Sequence, residues 1–157
     1  MKSRKSKIKI TDQKLNIRVA IVASRFNDFI SKALFKACLV ELKRVGLKDD
    51  QITAVWVPGS FEIPLTALKL AKKKNVDAVI CLGAVIRGDT YHFEVVANEA
   101  ARGIMDVSLS TGKPVIMGVL TTDTITQAQK RAQAKGNNKG RDAARAALEM
   151  VYLLEKI

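Results

Sequence analysis

The chain has one histidine, His92, and it closes the segment Gly83-Ala-Val-Ile-Arg-Gly-Asp-Thr-Tyr-His92, which follows a strongly apolar stretch. An imidazole can donate or accept a proton near neutral pH, and a positioned general acid/base contributes roughly 10²–10⁴-fold to a rate. Gly88, Asp89 and Thr90 run into a predicted helix whose first free N–H groups can hold a phosphate. A lone histidine is more often a surface or capping residue, but the phosphate-type loop beside it favours a chemical role here. Arg87-Gly88-Asp89 also forms an RGD tripeptide, read as chance.

Other residues with chemical potential fall in similar places. Phe26-Asn27 follows an apolar strand. Phe26 can stack on a planar heterocycle, a contact worth about 0.5–1.5 kcal/mol beyond its buried area, or it can simply cover the sheet edge. Pro58-Gly-Ser-Phe-Glu62 follows a second strand. There Gly59 permits close backbone approach, Ser60 can cap a helix, and Glu62 can accept from hydroxyl groups. Glu62 also suits the positive end of a helix without any ligand. Arg131, and Lys139 with Asp142 beyond the break Gly136–Gly140, can clamp an anion, each charge-assisted bond contributing about 1.5–3 kcal/mol. Spacing alone reads these three as a solvated helix face. No G-x-x-x-x-G-K-[ST] and no G-x-G-x-x-G after a strand is present, which weakens nucleotide readings.

The elements that carry these residues alternate strand and helix. Strands are predicted over Asn16–Ser24, Ile52–Val57, Val76–Leu82 and Pro114–Thr121, with Gly83–His92 as a loop. Helices are predicted over Ser31–Val45 and from Ser60 to about Lys74. Others run from about Phe93 to Ser110, from the capping box Thr124-Ile-Thr-Gln127 to about Ala134, and over Ala143–Glu155. Strands apolar throughout are buried on both faces, and helices of this length between them make parallel crossovers. The predicted fold is α/β: a three-layer, flavodoxin-like sandwich with a four-stranded parallel sheet and helices on both faces. Ligands of such sheets bind beyond the carboxyl ends of the strands, which selects Ser24–Asp28, Pro58–Glu62, Gly83–His92 and Thr121–Thr124.

Composition sets the outer bounds. The chain has 157 residues, 48% hydrophobic and 27% charged, which suits one globular domain and excludes collagen, coiled coil and general disorder. The longest apolar run, Ala78–Ile86, is too short for a membrane span, and the basic N-terminus has no apolar segment of a secretory signal behind it. Cys38 and Cys81 sit among apolar residues, as reduced thiols of a cytoplasmic protein do, and no metal-binding pattern is present. The net charge is +12, and residues 1–18 hold seven basic residues against Asp12 alone. Residues 1–15 are therefore read as a basic tail and 16–157 as one domain. The tail's lysines have no interleaved aromatics for base stacking, so a solvated tail is favoured over a nucleic-acid arm.

The strings Ser24-Arg-Phe-Asn27, Pro58-Gly-Ser-Phe-Glu62, Gly83-Ala-Val-Ile-Arg-Gly88 with Thr90 and His92, Gly118-Val-Leu-Thr121 and Asn138-Lys-Gly140 occur in one order, from about Asn16 to the C-terminus. In this the chain resembles the 6,7-dimethyl-8-ribityllumazine synthases of riboflavin biosynthesis. The resemblance implies a transferase without metal or cofactor. It condenses 5-amino-6-(D-ribitylamino)uracil with 3,4-dihydroxy-2-butanone 4-phosphate, releasing phosphate and water.

The resemblance also implies residue roles. Phe26 stacks on the pyrimidine. Asn27, Ser60, Phe61 and Glu62 hold that substrate, Glu62 chiefly through ribityl hydroxyls. The backbone of Ala84, Val85 and Ile86 reads the pyrimidine edge, and Met117 and Lys139 complete that side. Gly88, Asp89, Thr90 and Arg131 hold the butanone phosphate, and His92 moves protons. Met117 stands where the family commonly has Phe. Asp142 stands for the usual Glu, one methylene shorter, which leaves its pairing with Lys139 open. The implied partners are the two substrates, further copies of the chain and riboflavin synthase. The site lies between subunits of a pentamer, and the short GNNKG connection resembles members that pack twelve pentamers into a 60-subunit shell. The alternative reading is a non-catalytic flavin- or lumazine-binding relative.

Overall fold

The computed structural model describes residues 16–157. The basic tail read over residues 1–15 lies outside the described residues. Four strands, β1 (Val19–Ser24), β2 (Ile52–Val57), β3 (Ala78–Ile86) and β4 (Val115–Thr122), form one parallel sheet in the order β2-β1-β3-β4. All six residues of β1 are buried, as are the first eight of β3, because helices cover both faces.

The two faces sort by alternation along the strands. Val19, Ile21, Ala23, Ile80, Leu82 and Leu120 pack against α1 (Asp28–Arg44), α4 (Ile125–Ala132) and α5 (Lys139–Leu154). Ala20, Val22, Val79, Cys81, Val115 and Val119 pack against α2 (Ile63–Ala71) and α3 (His92–Thr111). Side chains such as Leu34, Leu42, Ile63 and Leu148 are fully buried, each contributing about 1.5–3 kcal/mol from removal of apolar surface. The three-layer α/β reading of the sequence therefore holds.

Element ends depart from expectation in ways that matter for the site. The segment Gly83–Ile86, expected as loop, is strand: it continues the ladder with β4 from Gly83↔Val119 to Ile86↔Thr122. Pairing of β3 with β1 stops at Ala23↔Leu82, so β3 runs four residues past its last pair with β1. Helix α1 begins three residues early because Asn27 sits in the left-handed region (φ 58°) and its carbonyl accepts from Ile30 and Ser31 N–H. Ser60 is buried and caps nothing; a 3-10 turn over Ser60–Glu62 precedes α2. Helix α2 stops at Ala71, and Lys113 Nζ donates to the Lys73 and Val76 carbonyls just beyond it.

At the last helix the break lies at Gly136 (φ 86°), while Gly140 is inside α5. Asn138 is the cap: its Oδ1 accepts from Gly140 and Arg141 N–H at 2.8 and 3.3 Å. A Cβ on Gly140 would stand 2.0 Å from the Leu34 carbonyl oxygen, so α5 meets α1 backbone to backbone there. The capping box at α4 is also rearranged. Thr124 Oγ1 accepts from Gln127 N–H, but the Gln127 side chain returns to Asp123 N–H.

Glu41 on α1 is only 2% exposed and accepts from Arg44 (Nε and Nη2) and from Arg145 Nε of α5, at 2.7–3.0 Å. Hydrogen bonds from Arg44 and then Arg145 outweigh the desolvation that opposes them, and hold the carboxyl down to about 2. A folded-state value below the ordinary 4.5 stabilises the fold above that pH and is lost as pH falls from about 4.5 to about 2. After screening of the exposed guanidinium groups, the contribution is on the order of 1–2 kcal/mol. Glu41→Gln should lower stability by that amount at pH 7 and flatten its fall below pH 5, measured by urea unfolding across pH. An unchanged acid limb would refute this account.

Candidate functional site

The overhang of β3 leaves one side of its last residues without a strand neighbour, and a cleft of about 720 Å³ opens there. It is lined by five segments that converge on the carboxyl end of the sheet. Phe26 and Asn27 come from the β1–α1 turn, and Ser60, Phe61 and Glu62 from the turn before α2. Ala84, Val85 and Ile86 come from β3, Gly88 and Thr90 from the loop after it, and His92 from the start of α3. The space suits a drug-sized molecule.

Local chemistry fixes each group. Asn27 Nδ2 donates to the Ala84 carbonyl at 2.9 Å, which locks the β1–α1 turn to the unpaired side of β3. Main-chain groups alternate sides along a strand, so Ile86 turns its own toward the same side, while Val85 faces β4. Gly83 lies under the cleft: a Cβ there would come within 2.5 Å of Ser24 Oγ and 2.9 Å of Ser60 Oγ. The glycine thus admits two buried hydroxyls below the cleft. Glu62 lines the cleft, and its Oε2 accepts from Gly59 N–H at 2.9 Å. Phe26 is 73% exposed, its ring uncovered at the rim.

His92 is the first residue of α3, and its N–H donates to Thr90 Oγ1 at 3.4 Å. The next two side chains are held by Arg87. Its guanidinium carbon lies 4.2 Å from the Phe93 ring centroid, its Nη1 donates to Glu94 Oε1, and its Nε donates to Asp123 Oδ1 at 2.8 Å. These bonds, Asp123 first and then Glu94, raise the Arg87 pKa, and the Arg87 hydrogen bond lowers that of Glu94. Burial pushes the Cys38 thiol up to about 12 and raises Cys81 as well, so neither is a thiolate nucleophile. Among the described residues no group of three or more His, Cys, Asp and Glu could hold a metal ion, and no helix is long and apolar enough to cross a membrane.

The remaining predicted site residues stand elsewhere. Met117, Arg131 and Lys139 line a second cavity, of about 390 Å³, along the outer edge of β4 against α4 and α5. It shares no lining residue with the cleft. The strand-end rule reaches only its corner at Thr121, because the rest lies beside an edge strand. Arg131 is exposed and Nη1 donates back to the Gln127 carbonyl at 3.0 Å. Lys139 Nζ meets Asp142 Oδ2 at 3.1 Å, so the shorter carboxylate makes the pairing; one helical turn brings the two together. Asp89 is exposed on its loop and lines neither cavity.

Sequence reasoning missed Arg87, Phe93 and Asp123. Their partners lie 7 and 36 residues apart, across a strand end, and no periodicity connects them. The one available signal was Glu94 in a first helical turn two residues from the sole histidine. With this geometry in place, comparison with protein-family models gives a match to 6,7-dimethyl-8-ribityllumazine synthase over residues 16–155.

The Asn27 lock can be tested apart from any chemistry. Asn27→Gly keeps the left-handed turn but drops the bond to Ala84, while Asn27→Ala drops the bond and strains the turn. The first should cost about 1 kcal/mol and the second about 2 kcal/mol of unfolding free energy. Equal and negligible losses in denaturant titration would remove the lock.

Proposed function

We propose, from the premise that this chain belongs to the 6,7-dimethyl-8-ribityllumazine synthase family, a transferase family of riboflavin biosynthesis, that it condenses 5-amino-6-(D-ribitylamino)uracil with 3,4-dihydroxy-2-butanone 4-phosphate. The observation that carries this reading is the convergence of an exposed aromatic ring, a hydroxyl, a carboxylate, free strand-end backbone and the sole imidazole on one cleft. Phe26 stacks on the pyrimidine. Asn27, Ser60 and Phe61 hold it, and the second oxygen of Glu62 takes a ribityl hydroxyl. The unpaired edge at Ala84–Ile86 reads the heterocycle. Gly88, Asp89 and Thr90 lie beside the phosphate of the other substrate.

An amine attacks a ketone, and water and phosphate then leave. His92 carries protons for these steps from its place at the cleft wall. Much of the gain comes from holding two small reactive molecules in register. The leaving anion needs a cation, and the cleft of one chain offers none of Arg131 or Lys139. The family generally assembles into oligomers. In this reading the β4-edge cavity of a neighbouring copy brings Met117, Arg131 and Lys139 to the cleft, in a pentamer and in a shell of twelve pentamers. Association with riboflavin synthase belongs to the same reading. Two buried free thiols support a reducing, cytoplasmic setting.

Mixing the protein with both substrates should yield a fluorescent lumazine. His92→Ala should lower kcat roughly 10²–10⁴-fold with little change in KM. Arg131→Ala should raise KM for the butanone phosphate roughly 10- to 100-fold. Equal turnover by the His92 variant would remove the proton carrier. Tight riboflavin binding without lumazine formation would instead mark a non-catalytic relative. Sedimentation should show a particle of sixty 17.2-kDa chains, about 1 MDa; a species of five chains, about 86 kDa, with nothing larger, would overturn the shell.

A further inference from the structure

We propose that Arg87 is a positioning residue: its side chain staples the two ends of the loop Gly88–Tyr91 and so sets where His92 stands at the cleft. The inference rests on the reading of His92 given above. The loop leaves the sheet at Arg87, whose own N–H donates to the Thr122 carbonyl at 2.9 Å, continuing the β3–β4 ladder. It rejoins ordered structure at His92, the first residue of α3. In between the chain has little packing of its own: Gly88 has nothing within 4 Å of where a Cβ would stand, and Asp89, Thr90 and Tyr91 are exposed.

The guanidinium group spans this gap. Nη1 reaches Glu94 and the planar group lies over the Phe93 ring, so both residues that follow His92 are tied to the residue that precedes the loop. Nε reaches Asp123 on the corner between β4 and α4, and the Asp123 N–H is held by the Gln127 side chain at 2.9 Å. Three elements meet at one side chain: the end of β3, the first turn of α3 and the start of α4.

Isolated ion pairs this exposed add little to global stability. What the arrangement does supply is direction. A planar fork donates to two carboxylates at a fixed angle while stacked on a ring, and a lysine ammonium, a single point charge, cannot reproduce that geometry. A loop with few side-chain contacts between two fixed ends is a segment whose order depends on the staple.

The test uses the full chain and three variants, Arg87→Met, Arg87→Lys and the double variant Arg87→Met with Asp123→Asn. In ligand-free protein, amide exchange followed by mass spectrometry should rise at least tenfold over residues 88–95 in Arg87→Met and stay unchanged in α5. In turnover, kcat should fall at least tenfold while KM for the ribitylaminouracil stays within twofold. Arg87→Lys should recover less than half of that loss, and adding Asp123→Asn to Arg87→Met should cause no further fall. Unchanged exchange over 88–95, kcat within twofold of wild type, or full recovery by lysine would each overturn the proposal. A wild-type protein that forms no lumazine would overturn the functional reading and with it the catalytic role of the staple. The exchange result, which needs no activity, then tells whether the stapled loop itself was also wrong.

Discussion

The ladder that joins Gly83–Ile86 to Val119–Thr122 is the constraint on which the rest of the structure depends. A parallel strand buried on both faces must pair its main-chain groups, and β3 does so on both sides only as far as Leu82. Past that point β4 alone holds it. The other side is left as a row of donors and acceptors that the Asn27 amide only partly fills. The cleft follows from this mismatch of strand lengths. Had β1 run on to the level of Ile86, its pairing would fill the space that Phe26, Ser60 and His92 now surround.

The charges are distributed to suit that division. No lysine or arginine lines the cleft, and the Arg87 guanidinium beside it is spent on Glu94 and Asp123. The basic groups of the second cavity lie along the outer edge of the sheet, where Lys139 pairs with Asp142 and Arg131 donates to a carbonyl of its own helix. One cavity rich in shape and one rich in charge thus share a sheet without sharing a lining residue.

Much of this was legible in the sequence, and the reasons are physical. Unbroken apolar runs separated by helical periodicity specify a doubly covered parallel sheet whatever the detail of the packing. Three of the four loops that the strand-end rule points to line one cleft, and so do the residues singled out on them, Asp89 excepted. What was not legible depends on tertiary contact. Gly83 looked like the start of a loop, yet its lack of a Cβ serves close approach to Ser24 and Ser60 within a continuing strand. Gly140 looked like a helix breaker and is instead helical, because Asn138 caps the turn. Spacing could not show that Arg131 and Lys139 belong to a different cavity from His92, since strand order places β4 at the edge.

The contact between Gly140 and the Leu34 carbonyl has a consequence for how the protein can vary. Where two helices meet through side chains, their separation drifts whenever an interior residue is exchanged for a larger or smaller one. Here main chain rests on main chain, so the amine at position 139 is referenced to the scaffold rather than to the size of any neighbour. Interior methyl groups can then come and go over evolutionary time without moving that charge, at the expense of one position that tolerates a single amino acid.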